Sequence, residues 1–110
     1  MVIAQVWHGV VPKAKSVGYL EYIKKTGMKD YARTPGNLGA TIWMREDGKK
    51  TEFLVVSYWK SMGATKRFAG EDPEKARYYQ KDVDFLLESE PKVKHYKVAF
   101  KITDKGTRRT

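Results

Sequence analysis

A chain of 110 residues has the size of one domain, and its 41% hydrophobic and 32% charged residues are typical of a folded globular protein, which excludes an intrinsically disordered chain. The sequence contains no cysteine, so disulfides, thiolate nucleophiles and thiolate metal sites are excluded. Its formal net charge of +9 would suit nucleic-acid binding, but the basic residues are spread along the chain and several lie in the C-terminal tail, residues 103–110. We therefore expect no nucleic-acid partner.

The chain also lacks the sequence signals of membrane insertion and export. Its start, MVIAQVWHGVV, has no basic leader, and no window approaches the run of about 18 apolar residues that a membrane span requires. We expect a cytoplasmic protein with no membrane partner.

The first half of the chain predicts a strand, a helix, a loop and a hairpin. Residues 2–10 are rich in β-forming side chains, and Val17, Leu20 and Ile23 then recur at helical spacing in a helix over 13–26 that Gly27 can cap. The Pro and Gly residues of GMKDYARTPGNLG predict a loop over 27–39 that no helix crosses. Residues 40–45 and 51–59 predict a β-hairpin that turns at Asp47-Gly48.

The second half predicts two helices and a last strand. Ser61 is suited to N-cap a helix that ends near Gly70. Asp72 and Pro73 predict the start of a short helix that runs to about Gln80. Residues 92–102 alternate as a strand with one apolar face, formed by Tyr96, Val98, Phe100 and Ile102.

The order of these elements predicts an α+β fold. A βαββαβ chain forms a ferredoxin-like antiparallel sheet with helices on one face. The strand segment FLVVSYW is apolar on both alternations, so both of its faces should be covered, one by helices and the other by a second sheet. A chain this small has no second sheet, so we expect a homodimer that forms a dimeric α+β barrel. Residues 1–102 form its single domain, and the basic tail 103–110 is expected to be mobile.

Few residues have the spacing of a known catalytic site. Neither HxH nor HExxH occurs, so we expect no metal, and we place both histidines on outer strands. His8 continues the buried alternation of Val2, Ala4 and Val6. His95 shares a strand face with Lys97 and Lys101 and is the better candidate for proton transfer.

Aromatic residues supply the other candidates. Each of Trp7, Trp43 and Trp59 taken alone suits a core or an interface, but together they could line a flat cavity for a planar ligand. The carboxylates between Glu71 and Glu90 are interpreted as helix caps and surface charge.

Three stretches carry a resemblance to a known family. VIAQVWHGVVP, FLVVSYWKSMGATKRFAGED and EKARYYQKDVDFLLESEPKVKHYKV resemble the antibiotic biosynthesis monooxygenase family of dimeric α+β barrels, over nearly the whole chain to Ile102. The resemblance implies oxidation of a planar aromatic substrate without metal or flavin. Trp59 matches a tryptophan of the family, whereas its asparagine and tyrosine partners are replaced here by Val55 and Thr65.

The haem-degrading members of that family imply a second comparison. Where they carry an asparagine, a tryptophan and an axial histidine, this chain has Trp7, Phe68 and the pair Tyr78-Tyr79. The iron ligand would change from imidazole to phenolate at best, so we do not expect a haem cofactor.

The resemblance and the aromatic residues together predict a cofactor-independent monooxygenase that acts on a planar aromatic or polyketide-type molecule. The expected ligand-binding residues are Trp7, Trp59 and Phe68, and the expected proton carriers are Tyr78 and His95. Tyr79 is interpreted as packing. The alternative is a non-catalytic protein of the same fold that binds a small molecule or haem.

Overall fold

A computed structural model describes residues 1–72, 74–79 and 81–102. The predicted mobility of the tail 103–110 concerns residues outside these ranges. The described elements are β1 (Ile3–Pro12), α1 (Ser16–Lys25), α2 (Gly27–Arg33), β2 (Asn37–Asp47), β3 (Lys50–Trp59), α3 (Met62–Ala69), α4 (Asp82–Phe85), β4 (Glu88–Ser89) and β5 (Lys94–Lys97). None of the described helices is long and apolar enough to cross a membrane.

The strands form one antiparallel sheet in the order β2-β3-β1-β4, and β5 also pairs with β1. β1 and β3 are therefore inner strands, and the β2-β3 hairpin turns at Asp47 and Gly48 as predicted. This is the predicted ferredoxin-like α+β architecture. The helix α3 begins at the predicted N-cap, since Ser61 Oγ accepts a hydrogen bond from the Ala64 amide at 3.2 Å.

The core lies between one face of the sheet and the helices. Alternate residues of a strand point to opposite faces, so Ile3, Trp7 and Val11 of β1 share a face with the β3 residues paired to them. That face packs against buried residues from all three longer helices: Tyr19, Ile23, Tyr31, Ala64 and Phe68. The opposite face, here called the open face, carries Val6, His8, Leu54, Tyr58 and Trp43, and no described helix covers it.

Two predicted elements are wrong. A helix, α2, crosses the segment 27–39 because Tyr31 packs its ring against Phe68 and Trp59, with centroids 4.4 and 5.9 Å away. The described part of the segment predicted as a helix from Pro73 to Gln80, residues 74–79, is not helical. Its backbone bonds to another segment instead: Ala76 N–H donates to the Pro91 carbonyl at 2.9 Å, and Val93 N–H donates to the Glu74 carbonyl at 2.7 Å.

The last strand is shorter than predicted. β5 ends at Lys97, which is paired with Ile3, the first residue of β1, and the ladder stops there. One further bond joins Val98 N–H to the Val2 carbonyl at 2.9 Å. The side chains of Phe100 and Ile102, expected on a packed face, are exposed in the described chain.

Candidate functional site

A small aromatic cavity lies on the helix-covered side of the sheet. Its volume is about 50 Å³. Its walls include Trp7 and Val55 of the sheet, Tyr19 of α1, Phe68 of α3, and Tyr78 and Asp82 from the chain that follows α3. Apolar walls with a few polar groups are typical of ligand sites, so this cavity is the candidate site.

Trp7 reaches over the cavity floor because the residue two positions on is glycine. A Cβ atom on Gly9 would lie 2.2 Å from Cη2 of Trp7 and 3.0 Å from Cδ2 of Leu86. A side chain at position 9 would displace the indole ring, so glycine is what allows the ring to lie there. The Trp7 ring packs edge-on against Tyr78, with centroids 6.1 Å apart.

Tyr78 closes one side of the cavity through its hydroxyl group. The hydroxyl accepts a hydrogen bond from Trp7 Nε1 at 3.1 Å and donates one to the backbone carbonyl of Glu90. Burial raises the pKa of Tyr78, an effect that the hydrogen bond from Trp7 only partly offsets. Tyr78 is therefore held as a neutral phenol that donates its one proton and accepts one hydrogen bond.

A second polar pair, Tyr19 and Asp82, lines the same cavity. Tyr19 Oη donates to Asp82 Oδ1 at 3.0 Å, and the backbone N–H of Tyr79 donates to Oδ2 at 2.5 Å. Asp82 is only 5% exposed, and this burial raises its pKa, although the two hydrogen bonds act in the opposite direction. Burial also raises the pKa of Tyr19 far above its ordinary value, so Tyr19 keeps its proton and remains a donor.

The segment 74–79 is fastened to the helices by Arg77 and Tyr79. The Arg77 guanidinium lies 3.3 Å from Asp30 Oδ2, donates to the Phe68 carbonyl at 3.2 Å and stacks over the Phe68 and Tyr79 rings. The Tyr79 hydroxyl donates to the same Asp30 carboxylate. Tyr79, interpreted from the sequence as packing, thus also anchors the segment to α2 and lines the cavity.

The structure brings together three of the five predicted site residues. Trp7, Phe68 and Tyr78 line the cavity. Trp59 is 0% exposed and lies behind Phe68, donating to Ser57 Oγ at 2.9 Å. His95 lies outside this wall and bonds through Nε2 to Gln5 at 3.1 Å, so it reaches the cavity only by way of the Gln5 side chain.

Neither residue that replaces the expected polar partners of Trp59 contributes a polar group to the cavity. Val55 presents an apolar side chain to it. Thr65 is buried in α3, and its hydroxyl donates to the Met62 carbonyl of its own helix at 2.6 Å.

His8 and Trp43 lie on the open face, away from the cavity. His8, which belongs to an inner strand and not an outer one, bonds through Nδ1 to Glu90 at 2.6 Å and through Nε2 to Glu52 at 2.9 Å. Burial lowers the pKa of His8, but the bonds to the two carboxylates raise it by more, so the net pKa lies above its ordinary value. Trp43 is 52% exposed, and the described residues contain no group of side chains that could hold a metal ion.

Asp82 and Tyr19 are the site residues that the sequence interpretation missed. The sequence places Asp82 with the surface carboxylates because acidic residues surround it, and Tyr19 is not among the residues at helical spacing that define α1. Their separation of 63 positions leaves no local signal for the pair.

Solved structures share this fold. One from Bacillus cereus, assigned as an antibiotic biosynthesis monooxygenase, aligns with a TM-score of 0.67 at 13% identity over 94% of this chain and 98% of that one. A heme-degrading protein from Mycobacterium tuberculosis aligns with a TM-score of 0.62 at 18% identity over 94% and 100%. A third, from Nitrosomonas europaea and also assigned as an antibiotic biosynthesis monooxygenase, has a TM-score of 0.59 at 16% identity over 90% and 91%.

No protein-family model matches the chain, and no curated protein matches it. Structural similarity at identities this low shows the fold alone. The chemistry has to be inferred from the residues that line the cavity. The resemblance seen in the sequence is thus confirmed for the fold: the chain has the ferredoxin-like α+β fold of antibiotic biosynthesis monooxygenases.

Proposed function

We propose that this protein is a cofactor-independent monooxygenase that oxidises a planar phenolic molecule of the polyketide type in the cavity between sheet and helices. One observation carries the proposal: the described walls of the cavity combine aromatic rings, from Trp7, Phe68 and Tyr78, with hydroxyl and carboxyl groups. A cytoplasmic location is part of the same proposal.

The chemistry suited to such a site is the oxidation of a ring methylene. A hydroxylated tricyclic ketone loses a proton to become an enolate or phenolate, which can react with O₂ directly. One oxygen atom becomes the carbonyl oxygen of the former methylene, and the other leaves as water with the two hydrogens of that carbon. Trp7 and Phe68 would hold the rings, Tyr78 would contact the ligand's oxygen, and His95 would orient the Gln5 amide in the cavity wall through their 3.1 Å hydrogen bond.

Ligand entry requires the cavity to open. A volume of about 50 Å³ is smaller than the roughly 150 Å³ that admits benzene in a dry protein cavity. Tyr78 is the group to displace, because its bonds to Trp7 and to the Glu90 carbonyl hold the ring across the space, and its freed hydroxyl can then contact the ligand's oxygen. We propose that the ligand takes over these two hydrogen bonds when it binds.

Haem does not fit these residues. An iron ligand at this place would be the Tyr78 phenolate, but burial raises the pKa of Tyr78, which favours the neutral phenol over the form that would bind iron. A solved structure of the Mycobacterium tuberculosis protein has two hemes bound in its active site. We do not extend that binding to this chain. Titration with hemin should give no shifted Soret band.

Oxygen consumption with 1,8-dihydroxyanthrone and a panel of quinols tests the proposal. We expect turnover above that of heat-denatured protein, and a reduced rate in Tyr78→Phe. Tyr96→Phe, which removes a phenol from the open face, serves as the matched control and should leave the rate unchanged. Binding without oxygen consumption would favour the alternative of a non-catalytic binding protein, and neither binding nor turnover would exclude both.

We also propose that two copies pair through their open faces. Trp43 and Tyr96 are each 52% exposed there, beside the half-buried Val6, Leu54 and Tyr58. Exposed aromatic patches of this kind mark interfaces. Sedimentation should show a dimer for the native chain and a monomer for Trp43→Asp; a native monomer at high concentration would refute the pairing.

A further inference from the structure

Asp82 is a buried carboxyl group in the cavity wall that the chemistry above leaves without a role. It opens the four-residue helix α4, is 5% exposed and is the only carboxyl group among the described residues of the wall. Buried carboxyl groups are rare unless they are paired with a cation, and its nearest partners, the Tyr19 hydroxyl and the Tyr79 amide, are both neutral.

The contacts of Asp82 leave it room to act as a base. A carboxylate offers about four acceptor positions, and Asp82 uses one on each oxygen. The two donors, the Tyr19 hydroxyl of α1 and the Tyr79 amide of the segment 74–79, hold the carboxyl group in the cavity wall. The remaining acceptor positions are available to a ligand hydroxyl.

We infer that Asp82 is the proton acceptor of the cavity and that Tyr19 is its positioning residue. The inference rests on the proposed function for the class of ligand, a planar phenol or enol. In the step assigned to Asp82, the ligand's O–H bond breaks, its electron pair stays on the ligand oxygen, and the proton moves to a carboxylate oxygen. The products are a neutral carboxylic acid and a phenolate or enolate, the species that reacts with O₂.

The surroundings of Asp82 suit this step better than those of the other candidates. A general base works best when its pKa lies near the working pH, and burial moves the pKa of Asp82 upward in that direction. The titratable groups facing it, Tyr19 and Tyr78, both have raised pKa values and stay neutral. The wall's cation, Arg77, is engaged with Asp30. Tyr78, as a neutral phenol, is a weak base whose hydroxyl is already hydrogen-bonded to Trp7 and Glu90. His95 does not line the cavity.

A titration of the ligand-free protein tests the inference without the proposed function. With ¹³C-labelled aspartate, the carboxyl signal of Asp82 is assigned by its loss in Asp82→Asn, a change that keeps the shape of the side chain and one acceptor oxygen and replaces the other oxygen with NH₂. We expect its midpoint to lie above the ordinary aspartate pKa of about 3.9, and Tyr19→Phe to raise it further by removing a bond to the charged form. An ordinary or lowered midpoint would overturn the inference.

Oxygen consumption with 1,8-dihydroxyanthrone tests the step itself by its pH dependence. Below the probe's own pKa, kcat/KM of native protein should rise with pH through the measured Asp82 midpoint, because only the ionised carboxyl group accepts the proton. Asp82→Asn should lose this dependence and should consume oxygen about a hundredfold more slowly. Asp84→Asn, an exposed neighbour in α4, is the control and should match native protein.

The outcomes separate the two proposals. An equal rate and pH dependence of oxygen consumption in native protein and Asp82→Asn overturns the role of Asp82, even where the probe binds and is oxidised. A probe that native protein does not bind overturns the proposed function, and the carboxyl titration then decides alone whether Asp82 is a base.

Discussion

Replacing Gly9 with alanine should destabilise the protein because the new methyl group would occupy the space of the Trp7 ring. The added Cβ would lie 2.2 Å from Cη2 and 2.8 Å from Cζ2 of Trp7, so the indole must move by at least about 1.3 Å to reach van der Waals contact. Overpacking of this kind costs about 1 to 3 kcal/mol. Loss of glycine's freedom in the unfolded chain offsets about 0.4 to 1 kcal/mol. We expect a net loss of about 1 to 2 kcal/mol in the free energy of unfolding.

Gly18→Ala provides a matched control with the opposite sign. Gly18 is an exposed residue within α1, and its added Cβ would meet only Phe85 Cε1, at 3.4 Å. The gain in helix propensity should stabilise the protein by up to about 1 kcal/mol. Urea denaturation of both variants, followed by tryptophan fluorescence and checked by circular dichroism, measures the difference.

A double-mutant cycle identifies the cause of the loss. In a Trp7→Phe background the outer ring atoms that the methyl group meets are absent, so Gly9→Ala should cost at least about 1 kcal/mol less there. Equal costs in the two backgrounds, or a Gly9→Ala variant as stable as Gly18→Ala, would refute the proposed contact between Gly9 and Trp7.

Three further predictions concern single residues elsewhere. Thr51→Val should leave the free energy of unfolding unchanged or raise it by about 1 kcal/mol, because the buried Oγ1 has no hydrogen-bond partner among the described residues; a loss of stability in urea denaturation would show that a partner exists. His8→Gln should destabilise more at a pH of about 5.5 than at about 9. The raised pKa of His8 means that its stabilising effect is complete below the unfolded pKa near 6.5 and is lost as the pH rises through the folded value, so a loss that is the same at both pH values would contradict the ion pairs. Ser61→Ala should cost about 1 kcal/mol by removing the N-cap bond of α3, as measured by thermal unfolding, whereas Ser61→Asp should restore most of it.

Elements with strong local signals could be predicted from the sequence. The first strand, the hairpin at Asp47-Gly48 and the helix capped by Ser61 each carry their own turn or cap residues, and the structure has all three. The order of elements was then enough for the fold class. Strand order is not local, however, and for that reason His8 was expected on an outer strand although β1 lies inside the sheet.

The predictions that failed depended on contacts distant in sequence. The segment 74–79 has start signals for a helix, but its backbone groups bond to residues 91–93, and these bonds replace the helical ones. The helix α2 is stabilised by the packing of Tyr31 on α3 and β3. For the site, the aromatic residues Trp7, Phe68 and Tyr78 could be anticipated from the resemblance. The burial of Asp82 could not, because a carboxylate in an acidic segment resembles surface charge.

Glu90 makes hydrogen bonds on both faces of the sheet. Its carbonyl accepts the hydrogen bond of Tyr78 at the cavity, and its carboxylate binds His8 on the open face. Where one binding event changes the contacts of a residue that takes part in another, the two equilibria are coupled, and such coupling is reciprocal. We therefore expect a ligand that displaces Tyr78 to change the proton affinity of His8, and the protonation of His8 to change the affinity for that ligand. The occupancy of the cavity would then be communicated to the surface through which two copies are proposed to meet.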